Sequence, residues 1–115
     1  MSPKQTVLNW VAAFNNADVD TLENLYAENA VNHQMPNSPV EGRAAIAAMF
    51  RNEFSMAPEM HCIPLQIIEE GEWAVLEWRD PKNFAGCGFF HVKDGLIVMQ
   101  RGYWDKISFK ELYGV

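Results

Sequence analysis

The sequence predicts an α+β domain in which a cone-shaped, curved, mainly antiparallel (mixed) sheet wraps around N-terminal helices. Apolar residues recur at helical spacing in the first half of the chain and alternate at strand spacing in the second half. Helices grouped ahead of a run of strands are typical of an α+β layer architecture. Because 115 residues can bury one hydrophobic core but not two, residues 1–115 are predicted to form a single domain.

The first helix is predicted to begin directly after Ser2. Ser2 and Gln5 form a capping-box pattern, and Pro3 occupies the first helical position, where its missing N–H has no cost. Apolar side chains then recur on one helical face, which indicates a buried side. These are Val7, Trp10, Val11 and Phe14.

Two more helices and a short strand are predicted before the middle of the chain. The second helix is expected over residues 18–27, with one further turn over residues 27–30. Residues 31–35 form a short strand, and the Pro-Asn-Ser-Pro segment at 36–39 is a loop. The third helix is expected over residues 43–54, where apolar residues again follow helical spacing.

The second half predicts four strands that run as a meander. The predicted strands are 61–68, 73–80, 84–92 and 96–104. Asp94-Gly95 is a strong hairpin signal between the last two strands. We expect Phe90, Leu96, Val98 and Trp104 to face the helices, and the tail after residue 104 to hold one helical turn.

The charge balance and the apolar segments exclude several kinds of partner. Nine Lys and Arg residues stand against 15 Asp and Glu, so the formal charge is −6, which argues against nucleic-acid binding. No apolar segment approaches the length of a membrane span, and the N-terminus lacks a signal-peptide core. We therefore expect no nucleic-acid or membrane partner and a cytoplasmic location. His61 and His91 lack an evident third ligand, so neither a metal site nor a cofactor is predicted.

The segment 73–80 is the most informative part of the sequence for function. Strand alternation places Ala74, Leu76, Trp78 and Asp80 on one face. An acid at the end of an apolar row has two interpretations. Asp80 either lies inside a pocket as a general acid or base, or it ends the strand and faces solvent.

Several motifs spread over nearly the whole chain match one known pattern. They are Trp10-Val-Ala-Ala-Phe-Asn-Asn-Ala-Asp18, the segment from Leu22 to Val31, Gly42-Arg-Ala-Ala-Ile46, Asp94-Gly-Leu-Ile97 and Arg101-Gly-Tyr-Trp-Asp105. Together they resemble the nuclear transport factor 2-like superfamily, and within it the SnoaL-like group and the limonene-epoxide-hydrolase-like branch. The resemblance implies a cystatin-like cone with one internal hydrophobic pocket, in a fold that hosts enzymes and non-catalytic binders.

The resemblance to the epoxide hydrolases also implies roles for individual residues. Asp80 takes the position of the acid that protonates the epoxide oxygen. Trp78 and Gly102 stand where those enzymes have an arginine and a water-activating aspartate. Asn32 and Gln34 take the positions of a tyrosine and an asparagine on the short strand. Asp80 and Gln34 are therefore the predicted catalytic residues, with Gln34 orienting a water.

The ketosteroid isomerases, which are similar in fold, give a second comparison. Gln34 stands at the position of their base, residues 87–88 at that of their oxyanion donor, and Trp10 at that of their tyrosine. Gln100 has two open interpretations, one as a ligand for a carbonyl or a water and one as a hydrogen-bonded core residue. The residues predicted to bind an apolar small molecule are Trp10, Asn32, Trp78, Phe90, Gln100 and Trp104.

The sequence leaves three functions open. The chain is an isomerase, cyclase or hydrolase acting on an apolar substrate, a non-catalytic binder of such a molecule, or an accessory dimerisation domain. The resemblance implies a homodimer packed through the outer face of the sheet. Trp73, Glu77, Arg79 and Arg101 are predicted to lie on that face, a solvated or dimer-facing surface with cross-strand ion pairs.

Overall fold

The computed structural model describes residues 1–114, and over that range it has four helices and six strands. The elements in chain order are α1 (Pro3–Asn15), α2 (Val19–Leu25), β1 (Tyr26–Gln34), β2 (Val40–Glu41), α3 (Arg43–Met56), β3 (Ile63–Glu70), β4 (Trp73–Arg79), β5 (Ala85–Lys93), β6 (Leu96–Tyr103) and α4 (Lys106–Tyr113). The predicted α+β class with a curved, mixed sheet is confirmed.

The six strands form one sheet in the order β2-β1-β6-β5-β4-β3. The last four strands run as an antiparallel meander, as predicted, whereas β1 pairs with β6 in parallel. The parallel register sets Asn32 opposite Gln100 and Gln34 opposite Gly102. Residues from the two ends of the chain therefore meet in the middle of the sheet.

Side-chain caps fix where the first two helices begin. The Ser2 hydroxyl accepts a hydrogen bond from the Gln5 backbone N–H at 3.1 Å, which confirms the predicted cap of α1. The Asp18 carboxylate accepts one from the Thr21 N–H at the start of α2. The apolar face of α1 packs on the inner face of β3, β4 and β5. This packing buries Val7, Trp10 and Val11.

The prediction of a helical turn at residues 27–30 is wrong. These residues belong to β1, which begins at Tyr26 and bulges between Tyr26 and Val31. Tyr26 and Ala30 are both fully buried and four residues apart, which matches the helical period. The distant partner β6, which local spacing cannot reveal, makes this segment a strand.

The structure departs from the predicted elements at three further places. Ile97 faces the core instead of Leu96 and Val98, because a register shift after His91 moves β6 by one residue. Residues 40–41, which were assigned to no element, pair with β1 as the strand β2. The tail forms a helix of eight residues, α4, capped by Asp105, instead of one turn.

The helices also bear on membrane association. None of the helices within residues 1–114 is both long enough and apolar enough to cross a membrane.

Candidate functional site

A cavity of about 360 Å³ lies between the helices α1 and α3 and the inner face of the sheet. Its volume is more than twice the roughly 150 Å³ of an apolar cavity that holds benzene, so it has room for a bicyclic molecule. The exposed residues Asn37, Ser38 and Met56 lie at its rim. All eight residues predicted from the sequence to serve catalysis or binding line this cavity. They are Trp10, Asn32, Gln34, Trp78, Asp80, Phe90, Gln100 and Trp104.

Two glycines of the sheet make room for the wall of the cavity. A Cβ atom at Gly102 would overlap the amide of Gln34, so this side chain can lie flat over β6 only because residue 102 is glycine. A Cβ at Gly86 would lie 2.7 Å from the Trp78 ring and 2.6 Å from the Tyr103 carbonyl oxygen. The sheet thus accepts a tryptophan and a glutamine on its inner face where it is most crowded.

One half of a hydrogen-bond chain runs along the polar side of the cavity, from Trp104 to Gln100. The Trp104 indole N–H donates to Gln34 Oε1 at 2.8 Å, and Gln34 Nε2 donates to Asn32 Oδ1 at 2.7 Å. Asn32 Nδ2 then donates to Gln100 Oε1 at 3.1 Å. Because an indole can only donate, Trp104 fixes which end of each amide faces its neighbour.

The other half of the hydrogen-bond chain runs from Trp10 through Tyr26 to Gln100. The Trp10 indole N–H donates to the Tyr26 hydroxyl oxygen at 3.0 Å, and the Tyr26 O–H donates to Gln100 Oε1. Burial raises the pKa of Tyr26, which keeps its proton at any physiological pH. A second indole therefore fixes the direction of this half as well.

Both halves converge on the carbonyl oxygen of Gln100 and leave its amide nitrogen free. No group within residues 1–114 accepts a hydrogen bond from Gln100 Nε2, while every fully enclosed side-chain N or O atom of that range has a partner. The nitrogen must therefore be reached from the cavity. The cavity wall presents an unused N–H donor there to an acceptor atom of a ligand.

Asp80 is buried, with 3% of its surface exposed, so the alternative in which it ends the strand in solvent is wrong. Its Oδ1 accepts the backbone N–H groups of Lys82 at 2.9 Å and Phe84 at 2.8 Å. Its Oδ2 accepts the hydroxyl of Tyr113. Asp80 thus organises the β4–β5 loop and holds α4, and its role as an acid remains a prediction.

The helix α4 covers the sheet end of the cavity, and Phe109 on its inner side joins the wall. Lys82 Nζ donates to the Leu112 carbonyl at 3.0 Å and lies 4.2 Å from the centre of the Tyr113 ring. Burial raises the pKa of the Tyr113 hydroxyl, and its hydrogen bond to Asp80 raises it further. Contacts with the β4–β5 loop therefore tie α4 to the site.

Glu53 on α3 also lines the cavity, although it is not among the residues predicted from the sequence. Burial raises the pKa of its carboxyl from 4.5 to about 7. Glu53 lies seven residues after Ile46 and three after Phe50, on the same helical face as both. A carboxylate inside an apolar helical stripe was the signal available in the sequence.

The titratable side chains of the wall do not form a metal centre. No group of three or more His, Cys, Asp or Glu side chains within residues 1–114 is arranged to hold a metal ion. Burial also raises the pKa of Cys62 to about 12, so this thiol stays protonated near neutral pH.

Sequence comparison identifies one family. The model of the SnoaL-like domain matches residues 7–100, which is most of the chain. No curated protein matches the sequence significantly.

Solved structures with the same fold are numerous. An LEH-like epoxide hydrolase from M. tuberculosis is 22% identical with a TM-score of 0.81, covering 95% of this chain and 86% of its own. A protein with a ketosteroid isomerase-like fold from Catenulispora acidiphila, in complex with trimethylamine, is 18% identical with a TM-score of 0.84. The match covers 100% of this chain and 95% of that protein. A SnoaL-like protein of unknown function from Burkholderia thailandensis is 18% identical with a TM-score of 0.81. The match covers 90% of this chain and 94% of that protein. These likenesses confirm the predicted fold.

Proposed function

Because the chain belongs to the family of SnoaL-like domains, we propose that it binds an apolar small molecule in the cavity and acts on it as a cofactor-independent isomerase, cyclase or hydrolase. The free amide nitrogen of Gln100 in a largely apolar wall is the observation that carries this proposal. Apolar cavities with a few convergent polar groups are typical of small-molecule sites.

The proposal gives a role to seven of the eight predicted residues. Gln100 binds a carbonyl or similar acceptor oxygen of the ligand, and Gln34 holds a water with the second N–H of its amide. Asp80 supplies the proton. The apolar body of the ligand contacts the rings of the wall. These rings are Trp10, Trp78, Phe90 and Trp104.

A second candidate, a non-catalytic binding protein, is favoured by the partners of Asp80. Its three hydrogen bonds from Lys82, Phe84 and Tyr113 leave little capacity to exchange a proton with a substrate. The third function, an accessory domain whose own aromatic residues fill the pocket, has less support, because about 360 Å³ of the cavity is open.

Binding is tested with prodan, a neutral naphthyl ketone whose fluorescence shifts to the blue in apolar surroundings. We expect saturable binding that Met49→Trp weakens at least tenfold, because Met49 lines the cavity and the larger ring fills it. Leu65→Trp, at a half-exposed position on β3 outside the cavity, adds the same ring and should leave binding unchanged. Absence of saturable binding, or equal binding by both variants, would overturn the proposal.

Turnover is tested with two substrates that fit the cavity. Styrene oxide reports hydrolysis, and deuterium exchange next to the carbonyl of 1-tetralone reports the proton transfer that isomerases and cyclases share. Turnover of either above the buffer rate supports the enzyme. Prodan binding without turnover of either substrate would favour the second candidate, a non-catalytic binding protein.

We also propose that two copies pack through the outer face of the sheet, as the resemblance implies. Trp73 stacks on His91 with ring centres 4.5 Å apart, and the Arg101 guanidinium lies 4.8 Å from the centre of the Trp73 ring. Next to them Ile68 and Tyr103 remain 55% and 42% exposed. An aromatic, apolar face with Arg is typical of the centre of an interface.

The dimer predicts a solution mass of twice the 13.1 kDa of one chain, measured by light scattering at micromolar concentration. Val75→Asp, in the middle of the outer face, should give a folded monomer, because a dimer would have to remove the added carboxylate from water. Leu8→Asp, on the exposed side of α1, should remain dimeric. A monomeric wild-type chain would contradict this proposal.

A further inference from the structure

Glu53 is a polar group of the cavity wall that the hydrogen-bond chain does not use. It is half-buried and lies on the inner face of α3, one turn beyond Met49 and Phe50, which also line the cavity.

The Glu53 carboxylate has no partner within residues 1–114. No Lys, Arg or His of that range forms an ion pair with it, and no side-chain hydrogen bond ends on its carboxylate. Because every fully enclosed side-chain N or O atom of that range has a partner, the carboxylate oxygens must be reached from the cavity. Burial is the sole cause of its raised pKa, so no nearby positive charge compensates for the desolvation. A carboxylate left unpaired in an apolar cavity favours a ligand that brings the missing positive charge.

Aromatic rings surround the part of the cavity next to α3. Trp10 stacks on Phe14 with centres 5.1 Å apart and meets Phe50 edge-on at 6.2 Å. All three rings line the cavity. Because the faces of aromatic rings attract cations, these rings favour the same ligand charge as the carboxylate.

The remaining charges of the wall point to the same ligand class. Among residues 1–114 the lining contains no Lys or Arg, and its one histidine, His61, is exposed at the rim. The formal charge of the chain is −6, which attracts cations and repels anions. An anionic ligand would find no counter-charge inside the cavity.

We propose that the ligand of this cavity carries a basic nitrogen, and that its ammonium group pairs with the Glu53 carboxylate against the rings of Trp10 and Phe50. This inference rests on the proposed function and names the class of its ligand, an apolar amine. Gln100 then binds an acceptor atom of the same molecule with its free amide nitrogen.

The test uses two ligands of the same shape, 1-naphthylmethylamine and 1-naphthylmethanol, titrated calorimetrically at pH 8. The ammonium of the first can pair with Glu53, whereas the hydroxyl of the second cannot. We expect the amine to bind the wild-type chain at least tenfold more tightly than the alcohol. Glu53→Gln should remove that preference and leave the affinity for the alcohol within twofold.

A control variant and a proton balance sharpen the test. Glu59→Gln removes an exposed carboxylate that pairs with Lys82 outside the cavity, and it should change neither affinity. At pH 7, where Glu53 is partly protonated, amine binding should release a fraction of a proton into the buffer and alcohol binding none.

Elements packed on α3 also carry charged groups, none of which contributes to the raised pKa of Glu53. These are Asp20 and Glu23 on α2, Glu28 on β1 and Glu41 on β2.

The outcomes separate this inference from the proposed function. If amine and alcohol bind the wild-type chain equally, or if Glu53→Gln leaves the amine affinity unchanged, the amine inference is overturned and the cavity still binds small molecules. If neither molecule binds and prodan also fails, the proposed function is overturned. If Glu53→Gln abolishes exchange in 1-tetralone but not amine binding, Glu53 is a proton carrier and the inference is again overturned.

Discussion

Replacing Asp80 with alanine is expected to lower the free energy of unfolding by about 3 kcal/mol, measured by urea denaturation. The substitution removes one acceptor from three donors, the N–H groups of Lys82 and Phe84 and the hydroxyl of Tyr113. A hydrogen bond to a charged group contributes about 1.5–3 kcal/mol, but donors that water can reach recover part of the loss. For a chain of this size the change corresponds to a fall in Tm of roughly 15 °C.

The isosteric variant Asp80→Asn separates structure from chemistry. Its amide oxygen can still accept from Lys82 and Phe84, and its amide nitrogen can donate to the Tyr113 oxygen, so stability should fall by less than about 1 kcal/mol. Turnover of 1-tetralone or styrene oxide should disappear if Asp80 supplies the proton. A stable Asp80→Asn protein that keeps full turnover would reduce Asp80 to a structural residue.

The free energy of unfolding is expected to fall by about 2 kcal/mol between pH 4.5 and pH 8 because of Glu53. The folded protein keeps a proton on Glu53 up to about pH 7, whereas the unfolded chain loses it near pH 4.5. Between these values the folded state binds more protons, so stability declines as the pH rises and levels off above pH 7. Each pKa unit corresponds to about 1.4 kcal/mol, and the partial contact of Glu53 with solvent weakens its contribution to about 2 kcal/mol.

The comparison with Glu53→Gln isolates this contribution from the other titrating groups. The neutral side chain loses no proton, so the variant should match the wild type at pH 4.5 and exceed its stability by about 2 kcal/mol at pH 8. Urea denaturation at the two pH values measures both differences. If the free energy of unfolding changes with pH in the same way for both proteins, the Glu53 carboxyl is not desolvated.

Local spacing predicted the elements whose partners lie nearby in the sequence. The cap at Ser2, the apolar face of α1 and the hairpin at Asp94-Gly95 each depend on a few consecutive residues, and all were predicted. Residues 27–30 were misassigned because their helical spacing competes with a strand partner about 70 residues away. The strand β2 was missed because two residues are too few for any period to be visible.

Strand alternation also placed the wall of the cavity correctly. Ala74, Leu76 and Trp78 share a face with Asp80, and Asn32 shares one with Gln34, so each set of inward residues followed from one strand. The bond from Tyr113 to Asp80 could not be predicted, because α4 and the β4–β5 loop meet only in the folded chain. Glu53 could have been predicted, because it follows the apolar residues Ile46 and Phe50 of α3 at helical spacing.

The parallel pairing of β1 with β6 has a consequence for synthesis on the ribosome. The helices and β1 emerge first, yet β6 is the final strand of the sheet to be made within the described chain. Asn32 has no Gln100 to bond until 68 further residues have been translated. Until then one edge of β1 lies open to pairing with other nascent chains. We therefore expect the sheet to close only late in translation, and a chain that stops within β6 to be recognised by chaperones and degraded.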